Sequence, residues 1–253
     1  MTAAMATSPP AARERTLSVT SEFGALDFAY PDSGNMGEHV RAILTGKTYP
    51  LPARPPGYRF DTVVDIGANV GASALWFLAQ RPRRLVCFEP ARDNFAYLRR
   101  NVGSLPGVEM RPWALFDRDG ESKLYHGRSQ NMQHSLVRSI ETGEATETIA
   151  LRRASAAFAE LGIDSASLLK VDTEGSEVPI LTDLAAILPR VDMLYVEYHS
   201  ERDRRDIERM LGAEFMLAFA EAAHPHRGVN LYLASRLGDA VPAYAAMALS
   251  RPS

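Results

Sequence analysis

From residue 60 onward, short and almost wholly apolar runs alternate with segments of helical periodicity, and no other feature of the chain narrows its fold so far. The runs are TVVDIG, LVCFEP, VEMRPWA, LLKVDTEG and DMLYVEYHS. Such unbroken hydrophobicity marks parallel strands covered on both faces, because a strand with one wet face would alternate apolar and polar residues. Between the runs, Gly71, Leu75 and Leu78 share one helix face, and Pro82 then blocks further helix. Phe95, Leu98 and Val102 form a second stripe, Leu181, Leu184 and Leu188 a third, and Ile207, Met210 and Leu211 a fourth. Strands that alternate with helices need right-handed crossovers, which predicts a doubly wound α/β sheet.

The alternation breaks in two places. FMLAFAEA and GVNLYLAS are strand-like runs joined by AHPHR, which is too short for a helical crossover. They predict a hairpin, so the last strand runs antiparallel in an otherwise parallel seven-stranded sheet. Residues 116–153 depart as well: Asp119-Gly120 marks a turn, SKLYH and ETIALRR alternate like strands, and GRSQNMQHS between them is polar. We read a β-rich insertion there, inside an α/β domain over 59–236. Residues 1–20 read as a frayed tail, 21–58 as a lid segment around one amphipathic helix with Val40, Ile43 and Leu44 inward, and 237–253 as a second tail.

Composition excludes several classes. The 253 residues are 46% hydrophobic with a formal net charge of −3, so no basic surface marks a nucleic-acid partner. Cys87 is the single cysteine, which excludes an intrachain disulfide and fits a reducing compartment. No apolar stretch reaches the roughly 20 residues of a membrane helix. The start, MTAAMATSPPAARERT, lacks the apolar core of a secretion signal, so the expected location is cytoplasmic.

The turn after the first strand, GANVG, identifies the ligand class by what it lacks. A dinucleotide fingerprint needs a middle glycine to let backbone approach the pyrophosphate. Here Gly67 is followed by Ala68 and Asn69, with the next glycine at Gly71. A phosphate-binding loop needs a lysine after its second glycine, and Ala72-Ser73 supplies none. The turn therefore suits a ligand without phosphate. Asp65, just before it, would meet a cationic ammonium favourably and a pyrophosphate badly. Glu89, closing the second run before Pro90, lies about 20 residues beyond Gly67, the spacing at which an acid meets a ribose diol.

With VVDIGANVG, CFEP, LLKVDTEGSE and YVEYHS in this order, the sequence resembles the class I S-adenosylmethionine-dependent methyltransferases, and more narrowly the FkbM-type O-methyltransferases. The resemblance covers roughly residues 35 to 235 and implies a mostly parallel Rossmann-like sheet. It implies that Asp65, Gly67 and Asn69 line the amino-acid end of S-adenosylmethionine, with Ala68 and Gly71 completing the turn and Asp172 nearby. It also implies Glu89, followed by Pro90, on the ribose, and Trp113-Ala114 bracketing the adenine. The expected reaction is methylation of a hydroxyl on a small molecule, a sugar or a natural-product scaffold.

A hydroxyl acceptor needs a base for its proton. Asp172 and Glu174 follow the fourth run and Glu197 and His199 end the fifth, which gathers acids around one histidine at the carboxyl edge of the sheet. Two readings stand side by side. In one, His199 is the general base and the acids orient it. In the other, Asp172 and Glu197 hold a divalent cation such as Mg²⁺ that acidifies the acceptor, although no local spacing forms a dedicated metal motif. Glu174 and Glu177 also suit the first turn of a helix, where acids are favoured. His224-Pro225-His226-Arg227 lies in the hairpin loop on the same edge, within reach of a substrate although exposed loop histidines are usually bystanders, and Tyr49 and Asn35, near the lid, read as residues that close over the cofactor or, more simply, as packing and turn residues. His126 and His134 flank the polar insertion without an assigned role, and ERDRRDIER reads as a solvated helix face. A nicotinamide oxidoreductase and a non-catalytic binding module are the rival classes.

Overall fold

The computed structural model describes residues 13–21, 24–52, 57–127, 142–224 and 226–240. In chain order the elements are β1 (Glu14–Ser21), β2 (Gly24–Pro31), α1 (Met36–Leu44), β3 (Thr62–Ile66), α2 (Ala72–Leu78), β4 (Arg84–Phe88), α3 (Arg92–Val102) and β5 (Val108–Arg111). Then follow β6 (Ala114–Phe116), β7 (Gly120–Gly127), β8 (Thr142–Arg153), α4 (Ala154–Glu160), β9 (Ala166–Val171), α5 (Glu177–Asp183), β10 (Val191–Tyr198), α6 (Glu201–Leu211), β11 (Phe215–His224) and β12 (Arg227–Ala234).

The seven apolar runs form one sheet in the order β11-β12-β10-β9-β3-β4-β5. The pairings from β10 to β5 are parallel, and β12 runs antiparallel to both of its neighbours, β10 and β11. Strand order reverses between β3 and β9, so the carboxyl ends there diverge and open a crevice. Successive side chains of a strand leave on opposite faces. Val63 accordingly joins one core with Leu75 and Phe77 of α2 and Leu98 of α3, while Val64 joins the other with Phe158 of α4, Ile180 of α5 and Ile207 of α6. Each such side chain, fully buried, contributes about 1.5–3 kcal/mol. No helix among the described residues is long and apolar enough to cross a membrane.

A second sheet, β6-β8-β7, forms a small core of Leu124, Ile149 and Leu151 with Ala91 and Ala114, and contributes Ala114, Leu115 and Leu124 to the lining of the cavity. SKLYH lies in β7 and ETIALRR in β8, whereas most of the polar run between them, with His134, lies outside the described residues.

The N-terminal reading needs correction. Residues 14–20, expected in a frayed tail, pair with β2 as an antiparallel ribbon through Leu17↔Phe28 and Val19↔Leu26. The hidden signal is the alternation in ERTLSVTS, whose Leu17 and Val19 pack against the core below. Buried Asn101 of α3 fixes the ribbon. Its amide donates to the carbonyls of Ala29 and Val70, both at 2.8 Å, and its oxygen accepts from the Ala29 N–H at 2.9 Å. Of the expected tails, residues 1–12 and 241–253 lie outside the described residues.

One ion pair joins the two strands at the switch point. Lys170 of β9 and Asp65 of β3 are register partners, both essentially without solvent exposure, and Nζ lies 3.0 Å from Oδ1. The same ammonium donates at 2.8 Å to the Gly67 carbonyl in the turn beyond β3. Burial opposes its charge, but Asp65, Asp172 and Glu197 outweigh that cost and hold Lys170 protonated. Lys170→Met should therefore lower the unfolding free energy by about 3–5 kcal/mol, since Asp65 is left as an uncompensated buried charge. Urea titration would read this as a lower midpoint at unchanged slope.

Candidate active site

The crevice holds a cavity of about 310 Å³, at the small end of the range for ligand sites. Its floor is the turn after β3. Gly67 adopts φ +82°, and a Cβ there would lie 1.7 Å from the backbone oxygen of Asp172, so glycine is the residue this turn accepts. Asn69, at φ +50°, closes the turn by accepting the Val70 N–H on its own side-chain oxygen at 2.7 Å. Gly71 turns away from the cavity and packs on Leu98, which a Cβ would approach to 3.1 Å.

Glu89 follows β4 and faces the turn. It is 4% exposed, yet its two oxygens accept backbone N–H groups of Asn69 and Ala91, each at 2.8 Å. Burial outweighs both bonds and pushes Glu89 up to about 7. Beside it, Pro90, Ala68 and Ala114 line the cavity together with Phe88 and Trp113. Trp113 packs against Phe88 at 6.3 Å, and the Arg152 guanidinium lies 4.5 Å from its ring centre.

Asp65 is displaced from its expected place. It does not line the cavity; Lys170 and the Ser73 hydroxyl, at 2.6 Å, take up its oxygens. An acid in the last turn of a fully buried strand is more cheaply neutralised from the neighbouring strand than by a ligand. Lys170, which the sequence pattern presents as one polar interruption of an apolar run, supplies that charge.

The acids beyond β9 and β10 assemble around Asp172, Glu174 and Glu197, all lining the cavity. Arg227 of β12 joins two of them, with Nη2 donating to Glu174 and Nε to Glu197, both at 2.8 Å. Glu177, almost fully buried, accepts the backbone N–H groups of Thr173 at 2.8 Å and Gly175 at 3.0 Å, which fixes the loop where Glu174 sits at φ +57°. Asp172 receives the Tyr49 hydroxyl at 2.9 Å and lies 3.5 Å from Lys170. Burial and then the Glu197 carboxylate push Asp172 up to about 6.

His199 behaves differently from a free base. Its ring nitrogens lie 3.1 Å from Glu174, 3.4 Å from Glu177 and 3.5 Å from Glu197, within ion-pair reach but not aligned as hydrogen bonds. Burial opposes its charge, and these three carboxylates overturn that effect and hold it as an imidazolium far above the usual histidine range. His199 also sits behind the cavity wall rather than in it. The general-base reading of His199 is therefore replaced by that of a fixed internal cation. Asp172, Glu174 and His199 do bring ligand atoms within 4.8 Å of one another, a spacing that suits a metal ion. Arg227, Lys170 and the imidazolium already supply positive charge to these acids.

Sequence reasoning undervalued further lining residues. Tyr49 and Asn35 enter from the N-terminal segment, His224 and Arg227 from the hairpin loop, and Ser176 from the start of α5. Ser176 is 1% exposed, and its hydroxyl has no hydrogen-bond partner among the described residues. The charged end, the aromatic end and this unpartnered hydroxyl together fit a ligand that carries an aromatic base, a diol and an amino-acid group.

Comparison with known proteins places the chain in a family. The Methyltransferase FkbM domain matches residues 65–226. The 2-O-methyltransferase NoeI of Sinorhizobium fredii is 27% identical over 154 residues, covering 55% of this chain and 63% of NoeI. The hexuronic acid methyltransferase AglP of Haloferax volcanii is 26% identical over 155 residues, covering 60% and 61%. The 31-O-demethyl-FK506 methyltransferase FkbM of Streptomyces tacrolimicus is 28% identical over 219 residues, covering 73% and 80%. The chain thus spans less than two thirds of the length of NoeI and AglP. On the match over residues 65–226, the chain belongs to the FkbM methyltransferase family.

Proposed function

We propose that the protein transfers the methyl group of S-adenosylmethionine to a hydroxyl of a small molecule, a sugar or a natural-product scaffold. One observation carries this reading: one cavity is lined together by a glycine turn that lacks the marks of a phosphate site, by the buried Glu89 carboxyl and by the ionisable Asp172. When bound, the cofactor supplies an electrophilic methyl on a leaving group that is already activated, so positioning provides much of the rate.

The chain's own residues then divide the work. Glu89 holds the ribose diol, because each oxygen that accepts a backbone N–H keeps a further acceptor site. Trp113 and Ala114 flank the base, and the Gly67 and Ala68 backbone runs beside the amino-acid end. Asp172 takes the acceptor's hydroxyl proton as the new carbon–oxygen bond forms and the carbon–sulfur bond breaks. Its raised pKa suits proton abstraction, since the group is ionised at neutral pH and more basic than an ordinary aspartate. His199, already protonated, keeps Glu174, Glu177 and Glu197 together. The cations around these acids support a reaction without Mg²⁺.

The names of NoeI, AglP and FkbM define the acceptors to screen: sugar hydroxyls, hexuronic acids and macrolide hydroxyls. Calorimetric titration with S-adenosylhomocysteine, beside NADH, tests the cofactor class; heat with NADH alone would refute the reading. Glu89→Ala should weaken S-adenosylhomocysteine at least about tenfold, as expected for a charged hydrogen bond worth roughly 1.5–3 kcal/mol. Asp172→Asn should retain that binding and lose at least about a hundredfold in kcat. A base must be deprotonated to act, so wild-type kcat should rise with pH through a midpoint near the raised pKa of about 6. Full activity in the presence of a chelator is expected, and loss restored by Mg²⁺ would reinstate the metal.

A further inference from the structure

Tyr49 reaches the site from outside the family domain, which begins at residue 65. It is 2% exposed, and its ring packs between Phe77, at 5.9 Å, and the edge of Tyr195, at 5.2 Å. Its backbone is anchored separately. The Trp76 indole donates to the Tyr49 carbonyl at 2.9 Å, and the Tyr195 hydroxyl donates to the next carbonyl, that of Pro50. Gly46, at φ +72°, lies flat against Trp76, where a Cβ would come within 2.5 Å of the ring. Two elements of the domain therefore fix the position of this phenol, and the hydroxyl so placed donates to Asp172 Oδ2 at 2.9 Å.

The Lys170 ammonium faces the same oxygen, Oδ2, at 3.5 Å. Neither of these contacts is to Asp172 Oδ1, while the Glu197 carboxyl also lies within hydrogen-bond reach of Asp172. The other charged groups around Asp172 are Glu197 of β10, His199 just beyond it, Arg227 of β12, Glu174 of its own loop, and Asp65 of β3 behind Lys170. Lys170 is the charged neighbour and comes from β9, whereas Tyr49 is the neutral donor and comes from the N-terminal segment, its ring centre 5.7 Å from the Lys170 ammonium.

We propose that Tyr49 is a positioning residue for Asp172, engaging Oδ2 so that Oδ1 is presented to the acceptor, and that the N-terminal segment thereby completes the machinery of the family domain. This rests on Asp172 as the base. A hydroxyl that donates to a carboxylate favours its charged form, so loss of the hydroxyl raises the carboxylate's pKa. A purely structural tyrosine would leave that titration unmoved.

The experiment needs no acceptor. Protein labelled with ¹³C at the aspartate side-chain carboxyls is titrated by NMR in the presence of S-adenosylhomocysteine, with Asp172→Asn identifying the resonance. Wild-type Asp172 should titrate above the other aspartates, and Tyr49→Phe, which keeps the ring packing, should move its midpoint upward by about one unit, a tenfold change in acidity. Should Tyr49→Phe fail to fold, Trp76→Phe carries the test, because it keeps the phenol, loosens its anchor and should shift the midpoint the same way. A high wild-type midpoint that the folded variant leaves unmoved overturns the proposal alone. A wild-type Asp172 that titrates with the ordinary aspartates removes the base reading and the proposal with it.

Discussion

The ammonium of Lys170 is the contact on which the rest of the site is built. It joins adjacent parallel strands at the point where their order reverses, neutralises Asp65, holds the Gly67 carbonyl and stands 3.5 Å from Asp172. Parallel strands diverge at a switch point, and their last backbone groups would otherwise face one another across a gap. A long, flexible cation can reach several acceptors on both strands from one position. The glycine turn and the loop after β9 thus share one counter-ion, and neither can move without disturbing it.

Around that centre the protein concentrates acids and then restrains them. Left unpaired, so many buried carboxylates would repel one another and take up protons. Arg227 bridges two, the His199 imidazolium lies against three, and the loop N–H groups hold Glu177. Asp172 is the acid with the least compensation, and like Glu174 and Glu197 it is part-exposed to the cavity. Unequal compensation can give chemically similar side chains different protonation states a few ångströms apart.

Much of this was legible in the sequence. The apolar runs locate the sheet because strands buried on both faces cannot avoid being hydrophobic, and the short AHPHR link forces the antiparallel end. The glycines at 67 and 71 were readable because backbone geometry restricts the residues such a turn accepts, and the acid at 89 because it closes an apolar run at the carboxyl edge. The ribbon over residues 14–31 was harder to see, since its β1 strand is largely exposed and so carries only a weak apolar signal. Asp65 and His199 were misread for a shared reason: a side chain's neighbours across the sheet decide its charge, and those neighbours, Lys170 and Glu174, Glu177 and Glu197, are fixed only by strand register and loop path. Arg227 reads in sequence as one more loop cation, and only the folded hairpin brings it onto two acids.

Asn101 has a consequence for how this chain can be altered. Its amide grips the N-terminal ribbon at Ala29 and the ligand turn at Val70 together, with one side chain buried between them. The start of the family domain is thus a boundary in sequence and not in mechanics. A chimaera that exchanged the first sixty residues would keep the Val70 contact of Asn101 and would have to present the backbone groups of residue 29 to its amide again. A change in the ribbon therefore reaches the support of the turn after β3 through one side chain.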